Sequence, residues 1–240
     1  MKIKENIYVL ELPNINPQSK DFVYPTVIKD KDNLTLIDTG YPGQIDYIKA
    51  ELEKDGLDVN NIKTIILTHH DIDHMGNVKA ILKLVSNIEV ITFDKEADYI
   101  NGSKTPYKVE YMEKNLNKLD EKGREFYNLF KLFYDNNKID VIKTVNDNDV
   151  INKGEAIRVI ATPGHTLGHM SLYIDKYKLL IAGDLLISKA GEVTTCPKEL
   201  NYDNDMYLKS INKIKKLDIE TVICFHGGVS VLGNNLKLGL

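Results

Sequence analysis

The sequence predicts a mixed α/β (α+β) fold in which two β-sheets pack together and helices lie on the outside. Short runs rich in β-branched residues recur along the 240-residue chain and predict strands. Amphipathic helical patterns separate some of these runs. A middle segment, from about 95 to 137, contains no convincing strand. The order of strands, helical insert and further strands fits two packed sheets covered by helices.

Each element rests on a local pattern. The predicted strands are Tyr8–Leu12, Phe22–Ile28, Leu34–Asp38, Thr64–Thr68, Glu89–Thr92, Ala156–Ala161, Ser171–Ile174, Lys178–Ala182 and Thr221–Cys224. Asp175 and Lys176, between two of them, predict a hairpin turn. Three helices are predicted from apolar residues on one face: Ile45, Ile48 and Leu52; Val78, Ile81, Leu82 and Val85; and Ile211, Ile214 and Leu217.

The insert at about 95–137 carries its own helical stripe. The spacing predicts two helices, with a break near Gly123. The stripe consists of Met112, Leu116, Leu119, Phe126, Phe130 and Phe133. Such a stripe usually packs on the core of its own domain. Since no linker, repeat or low-complexity tract divides the chain, we predict a single domain over residues 1–240.

Composition narrows the function classes. The net charge of −4 and the pI near 5.9 argue against partners such as nucleic acid or anionic membranes. Cys196 and Cys224 cannot build a disulfide framework and are expected to be reduced thiols. The N-terminal stretch reads as a first strand rather than a signal peptide, and no apolar run is long enough for a spanning helix. We therefore expect a cytoplasmic protein, whose oligomeric state the sequence leaves open.

All six histidines lie in three short segments, each directly after a predicted strand. The segments are Thr68–His74 (THHDIDH), Thr162–His169 (TPGHTLGH) and Cys224–Gly228 (CFHGG). A fourth strand end, Ala182-Gly183-Asp184, adds a single carboxylate. Strand ends are rigid positions from which loops can direct side chains at one point. Imidazole and carboxylate are common ligands of zinc, iron and manganese, so the pattern predicts a metal site.

Local geometry suggests how the first segment could contribute. In an extended stretch, residues i, i+2 and i+4 lie on one side, so His69, Asp71 and Asp73 are predicted to converge. His74 would then enter from the turn into the next helix. In the second segment, the glycines beside His165 permit close approach of the backbone.

These segments resemble the metallo-β-lactamase superfamily, in its hydrolase branch of glyoxalase II-like and lactonase-like enzymes. Its motif H-x-H-x-D-H is matched by His69, Asp73 and His74, although Asp71 stands where the family usually has a second histidine. The remaining matches are His165 in the PGHT turn, Asp184 as the bridging aspartate, His226 as the terminal histidine, and Asp38-Thr39-Gly40 as the early D-T-G turn. The likeness covers nearly the whole chain in the correct order. It implies an αββα sandwich with metals at one edge.

The resemblance also implies a binuclear site in which a metal-bound hydroxide cleaves an ester, thioester, lactone or similar bond of a small-molecule substrate. The implied metal ligands are His69, Asp71, Asp73, His74, His165, Asp184 and His226, with Asp73 as the catalytic residue and Asp184 shared between the ions. Two divalent ions are expected. Zinc is favoured and iron or manganese is possible, because a carboxylate at position 71 makes the ligand set harder.

Other residues near the motifs have more modest interpretations. His70 takes the family's variable position, which favours an exposed or supporting role. His169 would be a ligand only if the register slipped, and a supporting hydrogen bond is the better expectation. Asp38 can be read as a turn residue, and Asp94 and Asp175 as turn or surface carboxylates. The insert has two interpretations, a lid over the site and packing on the core, and the resemblance makes them about equally well supported.

Three other functions remain in view. Asp71 is similar to the carboxylate that di-iron flavoproteins carry in this motif, so a non-haem di-iron redox protein or a persulfide dioxygenase-like oxidoreductase is the alternative function. A non-enzymatic metal-binding protein is the next. A nuclease is less favoured because a basic groove is missing from the sequence pattern.

Overall fold

The computed structural model describes residues 1–15, 19–140, 143–189 and 191–232. Its strands are β1 Lys2–Lys4, β2 Ile7–Val9, β3 Leu12–Pro13, β4 Phe22–Val23, β5 Thr26–Asp30, β6 Asn33–Ile37, β7 Ile62–Leu67, β8 Glu89–Phe93, β9 Lys143–Val145, β10 Val150–Asn152, β11 Ala156–Ala161, β12 Met170–Ile174, β13 Leu179–Ile181, β14 Leu186–Lys189, β15 Glu192–Thr195, β16 Thr221–Cys224 and β17 Gly228–Val231. Its α-helices are α1 Ile45–Lys54, α2 Ile72–Met75, α3 Val78–Leu84, α4 Ala97–Ile100, α5 Tyr107–Lys114, α6 Glu121–Asn136 and α7 Asn204–Ile214.

Within the described residues, most strands belong to two mixed sheets. One has the order β1-β2-β5-β6-β7-β8-β9, and the other has the order β10-β11-β12-β13-β16-β17. Strands β6 to β9 run parallel, as do β13 and β16, whereas the other neighbours in these two sheets are antiparallel. The pairs β3-β4 and β14-β15 form two small additional ribbons.

Alternation along the strands sorts the core into three layers. Ile66 of β7 faces the second sheet and packs in a cluster with Val159 and Leu172. Its neighbours Ile65 and Leu67 point the other way, into a cluster with the helices on the outer face. A third cluster lies between the second sheet and α7. Because adjacent strand residues face opposite sides, this is the predicted αββα sandwich, and the fold prediction is confirmed.

The predicted elements are mostly found at their expected places. Strands β12 and β13 pair antiparallel around a short 3-10 turn at Asp175–Tyr177, as the hairpin prediction required. The insert does form two longer helices, but the break near Gly123 was wrong. Gly123 lies in the first turn of α6, and its N–H donates to Oδ1 of Asp120, which caps the helix. The break between the two helices lies earlier, between Asn115, which ends α5, and Asp120, which caps α6.

Several short strands were missed. Strand β10 has three residues, and β14 and β15 have four each, which is too short for an alternating pattern to stand out from the surrounding sequence. Among the described residues, the helices include none that is both long and apolar enough to cross a membrane. The predicted domain, 1–240, extends past the last described residue, 232.

Candidate metal centre

The four histidine and aspartate segments gather at one edge of the sandwich. They follow the carboxyl ends of β7, β11, β13 and β16. Strands β13 and β16 are parallel neighbours, which brings the loops holding Asp184 and His226 side by side. The Met170 N–H, at the start of β12, donates a 3.1 Å hydrogen bond to the Thr68 carbonyl, and this bond joins the loop after β7 to the second sheet. The sheets thus deliver all seven predicted side chains to one place.

Two groups of side chains there have the composition of metal sites. The first cluster contains His69, Asp71, His165 and Asp184, and the second cluster contains Asp73, His74 and His226. Within each cluster, one ligand atom of every residue lies within 4.8 Å of the others. In the first cluster, His165 Nε2 is 3.1 Å from Asp71 Oδ2, which is in turn 3.4 Å from His69 Nε2. In the second cluster, His226 Nε2 is 3.2 Å from Asp73 Oδ2.

Asp184 lies between the two clusters. Its Oδ2 is 3.5 Å from His165 Nε2, in the first cluster. Its Oδ1 is 3.1 Å from His74 Nε2 and 3.5 Å from His226 Nε2, in the second. This carboxylate can therefore serve both positions.

The loop after β7 divides its side chains between the clusters in a way the extended-stretch prediction did not foresee. Asp71 keeps an extended backbone (φ −64°, ψ 150°), but helix α2 begins at the next residue. Asp73 and His74 are therefore helical and belong to the second cluster, while His69 and Asp71 belong to the first. The expected convergence of His69, Asp71 and Asp73 by strand alternation was wrong, because the chain turns into a helix before Asp73.

Unsatisfied polar atoms concentrate at this site. Among the described residues, five buried side-chain polar atoms lack a hydrogen-bond partner: Thr26 Oγ1, His69 Nε2, Asp71 Oδ1, His74 Nε2 and Asp184 Oδ1. Four of the five belong to the two clusters. Leaving a buried polar group unpaired costs about 1–3 kcal/mol, so each such atom calls for an explanation. Bound cations at the two positions would satisfy His69 Nε2, His74 Nε2 and Asp184 Oδ1, so the residues present fit a metal centre.

The buried carboxylate of Asp38 holds His74 through Nδ1, the ring nitrogen that faces away from the cluster. His74 Nδ1 lies 2.9 Å from Asp38 Oδ2, and the same carboxylate accepts from the backbone N–H and the hydroxyl of Thr68. Asp38 is thus more than a turn residue, since it fixes the ring and leaves Nε2 directed at the cluster. The ring of Phe225 packs on the other side, with its centroid 3.8 Å from that of His74.

His169 supports the site from behind. Its Nε2 accepts the backbone N–H of Asp184 at 3.0 Å, and its Nδ1 lies 2.8 Å from the Thr162 hydroxyl. Burial lowers the pKa of His169 to about 3, which suits a neutral ring that accepts a hydrogen bond. Both nitrogens are therefore used, and the expected supporting hydrogen bond is observed.

His70 is buried, so the expectation of an exposed side chain was wrong and the supporting alternative applies. Its Nδ1 and its backbone N–H both contact Oε2 of Glu96, a fully buried carboxylate. Oε1 of Glu96 accepts from the Thr166 hydroxyl at 2.7 Å and from the Gly168 N–H at 2.8 Å. Glu96 therefore ties the loop after β7 to the loop after β11.

The close approach expected from the PGHT glycines is present. A Cβ on Gly168 would lie 2.8 Å from Glu96 Oε1, and one on Gly164 would lie 2.3 Å from the Cα of Tyr207. Neither position has room for a side chain, because real Cβ contacts are not this short. The glycines thus allow the loop bearing His165 to pack against Glu96 on one side and α7 on the other.

The insert also reaches the site. The ammonium of Lys108, on α5, contacts Asp71 Oδ2 and lies 3.4 Å from His165 Nε2. Tyr134, on α6, donates its hydroxyl to the His70 carbonyl at 3.1 Å. His165 is further held by Asn201, whose Oδ1 is 3.3 Å from Nδ1.

A cavity of about 540 Å³ opens beside the first cluster. It is lined by Tyr107, Lys108, Tyr111, Met112, Phe126, Phe130, Glu199, Leu200 and Asn201. Lys108 and Asn201 connect it to the cluster through Asp71 and His165. The predicted stripe of the insert is therefore split: Phe133 packs in the core, whereas Met112, Phe126 and Phe130 face the cavity.

Charged neighbours shift the pKa values of side chains in both clusters. Burial opposes ionisation of Asp184, but His226 and His74 outweigh it and hold the pKa of Asp184 well below its ordinary value. Burial also opposes protonation of His226, yet Asp184 and Asp73 raise its pKa to about 10. Burial opposes ionisation of Asp71 as well, but its charged neighbours, Lys108 above all, outweigh burial and lower the pKa of the carboxyl. Asp71 and Asp184 are thus ionised, as ligands must be.

Comparison with known proteins identifies the family of this chain. The sequence profile described as the metallo-beta-lactamase superfamily matches residues 19–226, which contain both clusters. The chain belongs to the metallo-beta-lactamase superfamily. It is accordingly an enzyme of the metal-dependent hydrolase class, as the sequence resemblance predicted.

Individual relatives are more distant. A probable metallo-hydrolase of Bacillus subtilis is 27% identical, over 98% of this chain and 84% of the relative. A hydroxyacylglutathione hydrolase of Buchnera aphidicola is 31% identical over 89% of this chain, which spans only 64% of that relative. A metallo-beta-lactamase family protein from Thermus thermophilus shares the fold, with a TM-score of 0.70 and 21% identity over 94% of this chain and 75% of its own.

Departures from the superfamily pattern have local explanations. Asn77, where a glycine is common, is fully buried, and its Nδ2 donates to the carbonyls of Thr39 and Tyr41 at 2.6 Å. Its Oδ1 accepts the Gln44 N–H at 2.9 Å. The amide therefore fastens the D-T-G turn to α3. Cys224 is buried in β16 outside both clusters.

Sequence reasoning missed Glu96, Lys108 and Asn201. Glu96 had a signal, since it follows β8, the parallel neighbour of β7, and the argument from strand ends applied there too. Asp94, in the same turn, is exposed, as expected of a surface carboxylate. Lys108 and Asn201 lie in a helix and a loop that approach the site only through tertiary packing. No motif marks them.

Proposed function

We propose that this protein hydrolyses an ester, thioester, lactone or similar acyl bond at a binuclear metal centre formed by the two clusters. The observation that carries the proposal is that four unsatisfied buried polar atoms belong to the residues of the two clusters, with Asp184 next to both. The similarity to a hydroxyacylglutathione hydrolase, whose name denotes thioester cleavage, supports an acyl substrate.

The residues divide the work. His69, Asp71 and His165 would hold one ion, Asp73, His74 and His226 the other, and Asp184 both. Bound divalent ions supply Lewis acidity toward a carbonyl and lower the pKa of water from 15.7 to about 7. Asp73 is mostly buried and faces His226 at 3.2 Å. We propose that its carboxylate orients the attacking water, accepts a proton from it as the new C–O bond forms, and passes that proton to the leaving group as the acyl bond breaks.

The insert is proposed to act as a lid and to form the acyl pocket of the same domain. Lys108 and Tyr134 attach the insert to the loop after β7. The cavity beside the insert is lined largely by aromatic and aliphatic side chains. A pocket of this size and lining suits a small, mostly apolar group. Such a lid would also exclude water from the bound substrate.

The experiment is a substrate panel on protein purified without oxygen and analysed for metals. Esters, thioesters, lactones, phosphodiesters and a glutathione persulfide are compared by kcat/KM, with oxygen uptake recorded in parallel. Turnover of an acyl substrate without oxygen uptake is expected. Oxygen consumption with the persulfide, and no acyl hydrolysis, would replace the proposal by the redox alternative.

The cavity leads to a prediction about selectivity. Phe130→Ala should lower kcat/KM about tenfold for long-chain acyl or aryl esters while changing acetyl esters little, because burying one aromatic ring contributes roughly 1.5–3 kcal/mol. Leu132→Ala is the matched control, since Leu132 lies on the same helix but is 61% exposed. A preference for phosphorylated substrates, or equal losses on short and long acyl groups, would contradict the pocket.

Asp71 leads to a prediction about metal identity. A carboxylate in place of an imidazole adds negative charge and makes the first position harder, so iron or manganese should fill part of the site in the cell. Asp71→His should shift occupancy toward zinc. Both proteins are grown in one medium containing all three metals and compared by elemental analysis. Full zinc with negligible iron and manganese in the unsubstituted protein would refute this preference without affecting the hydrolase proposal.

A further inference from the structure

Lys108 reaches into the first cluster from α5. Its ammonium contacts Asp71 Oδ2 and lies 3.4 Å from His165 Nε2, and those two atoms are themselves 3.1 Å apart. Both atoms would have to bind an ion at this position, at about 2.0–2.2 Å. The ammonium therefore contacts two of the atoms that an ion at the first position would need, and an ion there would have to displace it.

The charges of the site point the same way. Asp71, Asp73 and Asp184 supply three negative charges, and the histidines are neutral when they bind metal. One divalent ion together with the Lys108 ammonium supplies three positive charges, so that combination is formally neutral. Two divalent ions with the ammonium still in place would leave two uncompensated positive charges in a buried site, where like charges repel strongly.

Within the described residues, no lysine or arginine side chain pairs with a carboxylate of the second cluster. Among the described residues, the ion pairs of Asp73 and Asp184 are all with histidines. Lys108 also has somewhere to move, since its side chain is 31% exposed and lines the cavity. It can leave the first cluster without unfolding α5.

We propose that Lys108 is a built-in cation that competes with the metal at the first position, so that the two positions fill in order. One divalent ion binds tightly at the second cluster, and a second ion binds only as Lys108 withdraws into the cavity. The inference rests on the proposed metal centre and adds to it a lysine that controls how many ions are held.

The test is a zinc titration of metal-free protein against a chromophoric chelator, with stoichiometry checked by elemental analysis after dialysis. Wild-type protein should bind one zinc tightly and a second with a Kd roughly a hundredfold or more weaker. Lys108→Met should tighten the weaker Kd by a similar factor and leave the tighter one unchanged. Lys108→Arg, which keeps the charge, should resemble wild type.

Two controls fix the location. Lys114→Met removes a lysine from the same helix whose side chain is 75% exposed, and it should change neither Kd. In the wild-type background, His226→Ala should weaken the first equivalent, whereas His69→Ala should affect only the second. Reversal of these two effects would overturn the assigned order.

Other outcomes separate this inference from the function proposed above. Two zinc ions of equal affinity in both wild type and Lys108→Met would overturn the competition and leave the metal centre standing. Failure to bind any zinc would overturn both. Should Lys108→Met not fold, crystal structures of wild type at one and two equivalents decide: contact between Lys108 and Asp71 should be lost at two. Its persistence beside two bound ions would refute the inference.

Discussion

Asp184→Ala is expected to lower hydrolysis by roughly a thousandfold or more, and to reduce the bound metal, because loss of the proposed ligand to both positions would remove several kcal/mol of transition-state stabilisation. The carboxylate faces His165 with one oxygen and His74 and His226 with the other. Without it, two cations would face each other with less negative charge between them. Metal content and kcat/KM are measured on the same preparation.

Two comparisons isolate the role of the Asp184 carboxylate. Asp184→Asn keeps the shape and one oxygen but loses the charge, so it should retain more metal than the alanine variant while remaining strongly impaired. Asp205→Ala removes an exposed carboxylate on α7 and should behave as wild type. An Asp184→Ala protein that kept both its metal and its activity would show that this residue does not join the clusters.

Glu96→Ala is expected to destabilise the protein by about 3–5 kcal/mol, because it leaves His70 and two other donors buried without their acceptor. Glu96 is fully buried and accepts from His70, Thr166 and Gly168. Since it joins the two loops that carry most of the first cluster, metal affinity should fall as well. Denaturant unfolding of the metal-free proteins measures the first effect, and zinc titration the second.

The Glu96–His70 pair should also give a pH signature. Burial opposes both charges, but each partner outweighs it for the other, so the pKa of His70 is raised and that of Glu96 is lowered. The contribution of Glu96 is present above its unfolded pKa and is lost as pH falls through its lower folded value. That of His70 is present below about 6.5 and is lost as pH rises through its higher folded value.

The stability difference between wild type and Glu96→Gln should therefore be largest at mildly acidic pH and should shrink on both sides. The glutamine keeps the size of the side chain, which separates charge from packing. A difference that stayed constant from acid to alkaline pH would mean that the pair is not ionised. Glu155→Gln, at another buried carboxylate contacting Lys176, should not reproduce dependence on the histidine pKa.

The sequence predicted the sandwich because strand and helix periodicities are local properties. Buried runs such as Thr64–Thr68 needed no tertiary information, and the same holds for the strand ends that place His165 and Asp184. The helical turn that sends Asp73 to the second cluster could not be read from alternation, because Ile72 fits a strand or a helix equally well. Short strands such as β10 exist mainly because a neighbouring strand is there to pair with.

The supporting residues of the site were harder to foresee. The burial of His70 follows from Glu96, 26 positions away, and the contact between Lys108 and Asp71 spans 37 positions. Such pairs form when the insert packs across the loop after β7, and nothing in the local sequence of either partner encodes the distance. The charge of the first cluster consequently depends on a lysine that lies outside every motif.

The most direct test of a metal-dependent hydrolase is turnover of one protein sample before and after metal removal. The sample is stripped with a chelator, checked by circular dichroism for retained fold, and titrated with zinc, iron(II) or manganese while hydrolysis of the best acyl substrate is followed. Activity should be absent in the stripped protein and return in proportion to bound metal. Full hydrolysis by folded, metal-free protein would contradict the account.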